Sequence, residues 1–308
     1  MKIIVLGGNG FVGKNLVDKL KNSIHEVYAL SRSTGLDLTN LEQTKNTFKK
    51  IKPDTIINCA AHVGSLHYVT EFAANVIHDN ALMALNLYKA CSEINPDIRI
   101  INPLSNCSYP GNADIHFEPD WWQGEVHDSV FSYGNSKKFI YILARCYQKQ
   151  YNVRTINFLI PNTFGPGDHT DPNKCHALNG MIIRMIKAQK EKQKIFEIWG
   201  TGKPIREWAY IDDVIHFLIK GTTIETDLTY PVNIAQNKGY SIKESAELIA
   251  DAVGFSGKLI FNTTYQDGAP IKILDDKKFR SLFPDYTFYN HQKGIKNTVA
   301  YYKKSFNY

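Results

Sequence analysis

Short runs of β-branched and apolar residues alternate with longer amphipathic segments through the first half of the chain. The runs KIIVLG, HEVYALS, TIINCAA, RIINPLS and RTINFLI predict strands, and LVDKLK, LEQTKNTFKKI, NALMALNLYKACSE and KKFIYILARCYQKQY predict helices. Strands and helices that alternate in this way form βαβ units, whose parallel sheet is covered by helices on both faces. The pattern therefore predicts an α/β fold with a doubly wound parallel sheet.

The regular alternation of predicted strands and helices ends after Gly165. A polar, proline-containing stretch, PGDHTDPNKC, precedes a helical pattern around 181–190, a strand near Ile198 and a helix over about 241–253. YIDDVIHFLIK and PVNIAQ again have the pattern of a helix and a strand of the first sheet. We expect one domain of residues 1–165 and about 208–236, and a smaller mixed α/β lobe of residues 166–207 and about 237–308.

Composition and charge narrow the class of protein. The 308 residues are 43% hydrophobic, which is enough for a large core, and no run approaches the roughly 18 apolar residues of a spanning helix. We expect a cytoplasmic protein without membrane association. The net charge of +6 comes from dispersed lysines, so a nucleic-acid partner is not expected. Five scattered cysteines without a C-x-x-C pair predict neither a disulfide framework nor a metal site.

A glycine motif follows the first predicted strand. Gly7, Gly10 and Gly13 form G-x-x-G-x-x-G, with Phe11 and Val12 beginning the next helix. Such a turn brings the backbone close to a pyrophosphate, and the helix N-terminus favours the negative charge. The motif predicts a Rossmann-type dinucleotide site.

The end of the second predicted strand bears on the choice of cofactor. NAD enzymes usually present an acidic residue there to the ribose 2′-hydroxyl, whereas this chain has Ser31, Arg32 and Ser33. A cation between two hydroxyls suits a 2′-phosphate, so NADPH is the predicted cofactor, with Asp37 and Leu38 beside the adenine. The alternative is that Arg32 stacks on the adenine or is solvated.

Two residues four apart suggest proton chemistry. Tyr133 and Lys137 begin a predicted helix and project from one face, where the ammonium can lower the pKa of the phenol. The same spacing recurs at Tyr289 and Lys293 without supporting motifs, and we interpret that copy as structural. The first copy follows Ser105, which ends the predicted strand RIINPLS. With these residues in place, the chain resembles the extended short-chain dehydrogenase/reductase family along its whole length.

The resemblance implies specific roles. Ser105 would orient the substrate oxygen, Tyr133 would exchange the proton, and Lys137 would also hold the nicotinamide ribose. Asn162, in PNTFGP, would lie near the nicotinamide and the sugar. The fragments AAHVGSL, SNCSYP, NKCH and WGTGKPIREWAYIDD are similar to stretches of the GDP-L-fucose synthase branch.

Within that branch, Cys107 and His176 match the pair that moves the C3 and C5 protons of a 4-keto sugar, and His176 also lies by the cofactor. Thiolate and imidazole suit this task near neutral pH. The alternatives are that Cys107 only packs at a strand end and that His176 only binds substrate. Arg206 and Lys272 match the substrate-binding residues, with Arg206 at the nucleotide diphosphate.

We therefore expect NADPH-dependent reduction of the C4 ketone of a GDP-linked 4-keto sugar, with or without prior C3/C5 epimerisation, by a homodimer. A dedicated 4-reductase, for a heptose or another sugar, stays open. So does a non-catalytic NADP(H)-binding redox sensor. The sequence departs from the branch at Asn9, His62 and Ile271, which leaves the sugar itself undetermined.

Overall fold

The computed structural model describes residues 1–171, 174–265 and 267–307. Its strands are β1 Lys2–Leu6, β2 Glu26–Leu30, β3 Thr55–Asn58, β4 Arg99–Ser105, β5 Ile115–His116, β6 Thr155–Ile160, β7 Asn162–Phe164, β8 Ile195–Trp199, β9 Ile205–Tyr210, β10 Val232–Asn233, β11 Gly239–Ser241, β12 Lys258–Asn262 and β13 Ile271–Leu274. Its α-helices are α1 Phe11–Leu20, α2 Leu41–Ile51, α3 Leu66–Glu71, α4 Ala73–Ile94, α5 Phe131–Tyr151, α6 Ala177–Lys190, α7 Ile211–Lys220, α8 Ile242–Val253, α9 Lys277–Leu282 and α10 His291–Ser305.

Six strands form one parallel sheet in the order β10-β6-β4-β3-β1-β2. Side chains that alternate along each strand enter different cores. Ile3 and Val5 of β1 pack on one face, and Ile4 and Leu6 pack on the other. This is the strand pattern of a sheet buried on both sides. The predicted doubly wound, Rossmann-type sheet is confirmed.

The remaining strands build smaller sheets beside the first. Strands β11, β9, β13 and β5 pair in that order, β7 pairs with β9, and β8 pairs with β12. The mixed pairing includes an antiparallel contact between β11 and β9. The predicted strand of PVNIAQ is β10, which extends the large sheet beside β6, so a late segment of the chain completes the early sheet.

β1 lies between β2 and β3, so successive strands are added to the large sheet on opposite sides of β1. In open parallel sheets, ligands bind outside the carboxyl ends of the strands at such a point. Gly7 follows β1, Ser31 follows β2 and Cys59 follows β3, so their loops meet at one edge. Across the three described ranges, no helix is long and apolar enough to cross a membrane.

Candidate active site

The glycine turn brings three backbone segments into close contact. Gly7 has φ of +70°, and a Cβ there would lie 2.7 Å from the carbonyl oxygen of Cys59. A Cβ on Gly13 would lie 2.2 Å from the carbonyl oxygen of Gly7. Gly10 precedes α1, whose first turn carries no acidic residue and receives no side-chain cap from Gly10. The free N–H groups of this helix end therefore suit a phosphate group.

A cleft opens at this turn. It is lined by the glycine loop and by the ends of β2 and β3: Gly7, Gly10, Leu30, Ser31, Arg32, Leu36, Asp37, Leu38, Thr39, Cys59, Ala60, Ala61, Asp79 and Met83. Gly13 and Phe11 are buried behind the turn, and Val12 is partly buried against the core. Gly7, Gly10, Arg32, Asp37 and Leu38, all predicted for the cofactor, thus line one cleft, and its donors fit the phosphate groups of a dinucleotide.

Asn9 links the two loops of this cleft, which the sequence alone did not predict. Its Nδ2 donates to Ser31 Oγ at 3.1 Å and to Ser33 Oγ at 2.8 Å. The Arg32 side chain is exposed on the same loop, and none of the described residues forms a hydrogen bond with its guanidinium. The loop therefore presents one cation and two hydroxyls that a 2′-phosphate can engage.

Ser105 ends β4 beside the cleft. Its Oγ accepts a hydrogen bond from the Cys107 amide at 3.1 Å. A short 3₁₀ turn over Asn106–Ser108 follows, and Trp121 Nε1 holds it by donating to Ser108 Oγ at 2.8 Å. Because the amide occupies an acceptor position, the Ser105 hydroxyl keeps its own hydrogen for another oxygen.

Tyr133 and Lys137 lie in the first two turns of α5. The Lys137 Nζ is 5.3 Å from the Tyr133 ring centroid. Burial lowers the pKa of Lys137 to about 8. Burial also raises the pKa of Tyr133 well above its usual range, with a smaller contribution from Cys107. Burial therefore dominates the pKa of Tyr133 and keeps this phenol protonated, as a proton donor, and the sequence-based prediction that Lys137 favours the tyrosinate stays a prediction.

Gly134 sets the distance between α5 and the turn after β4. A Cβ on Gly134 would lie 2.4 Å from the Cys107 carbonyl oxygen and 2.6 Å from a Val126 methyl carbon. Only glycine permits this approach. The sequence offered a signal in the glycine directly after Tyr133, but nothing in it identified the facing carbonyl.

His176 is held by an aspartate that the sequence analysis did not single out. Asp168 Oδ2 lies 3.0 Å from His176 Nδ1 and accepts hydrogen bonds from the His176 amide and Asn179 Nδ2, both at 2.9 Å. Burial opposes ionisation of Asp168, but these contacts outweigh it and lower its pKa to about 2. The His176 ring centroid lies 5.3 Å from that of Phe11. The imidazole is thereby fixed beside the start of α1.

Cys107 faces β13. Lys272 Nζ donates to Cys107 Sγ at 3.5 Å, and Lys272 is paired in register with Arg206 between β13 and β9. Arg206 is tied by its Nη1 to the carbonyl oxygen of Ile205 at 2.8 Å. The structure therefore brings the thiol and the two predicted substrate-binding cations to one side of the site.

Two other predicted features have structural partners. Asn162 begins β7, and its Nδ2 donates to the carbonyl oxygen of Glu207 at 3.3 Å, which links β7 to β9. Tyr289 stacks on Tyr210 at 4.5 Å, and its amide donates to Asp213. The second tyrosine–lysine copy is thus part of the packing of α10, as interpreted from its context.

Comparisons with known proteins identify the family. A family model described as the NAD dependent epimerase/dehydratase family matches residues 3–232. A GDP-L-fucose synthase of Dictyostelium discoideum is 30% identical over 304 residues, which cover 97% of this chain and 94% of that protein.

Solved structures extend the likeness to the whole fold. A GDP-L-fucose synthetase from Naegleria fowleri bound to NADP superposes with a TM-score of 0.89 at 27% identity, covering 99% of this chain and 93% of that one. A GDP-6-OMe-4-keto-L-xylo-heptose reductase from Campylobacter jejuni gives a TM-score of 0.89 at 25% identity, covering 99% of this chain and 98% of that one.

Proposed function

The chain belongs to the NAD dependent epimerase/dehydratase family, and from that premise we propose that it is an NADPH-dependent reductase of the C4 ketone of a GDP-linked 4-keto sugar. One observation carries the proposal. Ser105 ends β4, the neighbour of β3, whose following residue Cys59 lines the cleft, and α5, which carries Tyr133 and Lys137, approaches the turn after Ser105 at Gly134. Lys137 Nζ lies 5.3 Å from the Tyr133 ring centroid. Full-length relatives named for GDP-L-fucose synthesis and a structural neighbour named as a GDP-heptose reductase support the substrate class.

The site residues would act together on the ketone oxygen. NADPH, when bound, supplies the hydride. Tyr133, kept protonated by burial, would donate its proton to the C4 oxygen as negative charge develops there. The Ser105 hydroxyl would donate a second hydrogen bond to the same oxygen. The Lys137 ammonium would stabilise the tyrosinate left behind.

Arg32, Ser31 and Ser33 would bind the 2′-phosphate of the cofactor, in a loop held by Asn9. The glycine turn and the N-terminus of α1 would hold its pyrophosphate. The exposed guanidinium is the group that distinguishes NADPH from NADH here, because a planar fork with several donors matches a phosphate.

A second activity, epimerisation at C3 and C5, is favoured by the placement of Cys107 and His176. The Cys107 thiol lies beside a cation, Lys272, and His176 is fixed by Asp168. A C4 ketone acidifies the neighbouring C–H bonds, so two such groups on opposite faces of the sugar would invert the centres. A dedicated 4-reductase remains the alternative, and in that case both residues only shape the pocket.

We also infer a homodimer. Helices α4 and α5 pack together, and each exposes a large apolar side chain, Leu85 at 40% and Ile142 at 43%. Two copies that pair these helices would bury both side chains in a four-helix bundle. A dimeric mass in solution at micromolar concentration is expected, and a monomer would contradict the inference.

The function is tested by incubating the purified enzyme with NADPH and a panel of GDP-4-keto sugars, including 6-deoxyhexoses and heptoses. Oxidation of the cofactor with loss of the ketone for at least one sugar is expected. If the enzyme bound NADPH but oxidised it with none of the GDP-4-keto sugars, the result would favour the redox-sensor alternative and contradict the proposal.

A further inference from the structure

A chain of three polar side chains runs beside the cleft and is not used by the proposed reaction. His62 follows β3, and its Nδ1 lies 2.8 Å from Asp79 Oδ2. Its Nε2 lies 2.8 Å from the Tyr68 hydroxyl. Only 18% of the His62 side chain and 30% of the Asp79 side chain are exposed. Both ring nitrogens are thus engaged, which fixes the orientation of the imidazole.

The backbone of His62 is clamped as well. The buried Asn80 accepts from the His62 amide at 2.9 Å and donates to the His62 carbonyl oxygen at 2.8 Å. A second bond from Asn80 Nδ2 to Val76 O, also 2.8 Å, anchors this clamp in α4. Neither the ring nor the backbone of His62 can turn without breaking several hydrogen bonds. The histidine is therefore a rigid support for whatever its Nε2 contacts.

His62 contacts α3 through Tyr68, and α3 lies between the start of α5 and Arg206. Ser132, next to the proposed proton donor Tyr133, donates to Val69 O at 3.0 Å. At the other end, a Cβ on Gly268 would contact both an Arg206 nitrogen at 3.3 Å and a Leu66 methyl at 3.8 Å. Helix α3 is thus a wall that reaches from the reacting end to the proposed diphosphate end.

Tyr68 belongs to this wall and is partly exposed. It packs with Cys107 and Tyr133 against one small apolar cluster, formed by Val69, Val76, Val126 and Val130. A phenol can take part in more than one hydrogen bond, and His62 occupies only one position on its oxygen. The remaining positions can bond to a polar ligand that lies against α3.

We propose that Tyr68 binds a hydroxyl group of the sugar ring, and that His62, held by Asp79, is the positioning residue that aims the Tyr68 hydroxyl. The inference rests on the proposed function for the identity of the sugar. It gives a role to His62, one of the positions at which the chain departs from the branch that it resembles. An imidazole nitrogen can accept the phenol proton.

The test measures binding without reduction, by calorimetry on the NADP⁺ complex with GDP-4-keto-6-deoxymannose and with GDP alone as probes. Tyr68→Phe should weaken binding of the keto sugar about 3- to 10-fold, the effect of one lost neutral hydrogen bond, and leave the affinity for GDP unchanged. His62→Gln should weaken the keto sugar in the same direction. The double variant should be no weaker than Tyr68→Phe, because His62 acts through Tyr68.

Matched controls come from the same helix and from a distant one. His67→Gln changes a side chain that is 82% exposed and paired with Glu71, and Tyr301→Phe removes an exposed phenol on α10. Neither should alter binding of either probe. Unchanged keto-sugar affinity in Tyr68→Phe, equal losses for GDP and the keto sugar, or additive effects in the double variant would overturn the inference. Wild-type enzyme that binds the keto sugar more tightly than GDP but never reduces it would instead contradict the proposed reaction.

Discussion

Replacing Gly134 by alanine should separate the proton donor from the rest of the site without removing any reacting group. The new Cβ would lie 2.4 Å from the Cys107 carbonyl oxygen, where an ordinary contact is 3.4 Å or more. Helix α5 and the turn after Ser105 must therefore move apart by about 1 Å. A displacement of this size costs about 10²-fold when it separates reacting groups.

The expected result is a fall of about 100-fold in kcat/KM for the keto sugar. The affinity for NADPH should change much less than kcat/KM, because the glycine turn and the Arg32 loop, which would hold the pyrophosphate and the 2′-phosphate, lie on other segments. Overpacking of a core costs about 1–3 kcal/mol, partly offset by the better helix propensity of alanine, so the variant should fold. NADPH oxidation, NADPH titration and thermal unfolding measure the three quantities.

Gly180→Ala is the matched control, since its Cβ would meet its nearest neighbour, the Cys175 sulfur, at 3.7 Å, an ordinary contact. This variant should keep full activity and gain up to about 1 kcal/mol from helix propensity. If Gly134→Ala turned over the keto sugar at the wild-type rate, the close approach of α5 to the Cys107 carbonyl would have no part in catalysis and the reasoning would be refuted.

Three further predictions follow from the cofactor loop and the titrating groups. Arg32→Ala should reduce the preference for NADPH over NADH by about 10-fold or more, measured as the ratio of kcat/KM values; an unchanged ratio would place the 2′-phosphate elsewhere. If epimerisation occurs, wild-type enzyme with oxidised cofactor in D2O should exchange deuterium into the keto sugar. Cys107→Ser should stop that exchange, while reduction of an epimerised ketone survives. His176→Asn should slow the exchange. The rate of reduction should fall as pH rises through about 8, because Lys137 loses its charge there; a flat profile up to pH 10 would contradict this.

The large sheet could be predicted from the sequence because both faces of its strands are buried. The runs KIIVLG, TIINCAA and RIINPLS are apolar on both faces, and β1, β3 and β4 follow them closely. The helix starts were harder to predict. Helix α4 begins at Ala73, before the predicted segment NALMALNLYKACSE, and α5 begins at Phe131, two residues before Tyr133.

The residues of the proposed site also differ in whether the sequence could predict them. Gly7, Ser105, Tyr133 and Lys137 could be selected because each lies at a recognisable spacing from a strand or helix end. Asp168 could not, since its hydrogen bond to His176 depends on the path of a loop with no periodic pattern.

The hydrogen-bond partners of His62 could not be predicted from the sequence either. Tyr68 and Asp79 lie 6 and 17 residues away along the chain, on two different helices. Neither spacing has a meaning until α3 and α4 are packed together. Sequence patterns reveal periodic and adjacent residues, whereas contacts made by irregular loops require the folded chain.

The central claim, reduction of a sugar ketone by hydride from NADPH with Tyr133 as proton donor, is tested most directly by isotope transfer. Wild-type enzyme given NADPH deuterated at the transferred position and a GDP-4-keto sugar should place a single deuterium on C4 of the product for each cofactor oxidised. Tyr133→Phe should still bind NADPH but transfer the label about 100-fold more slowly. Cofactor oxidation that leaves C4 unlabelled, or a Tyr133→Phe variant that labels C4 at the wild-type rate, would contradict the account.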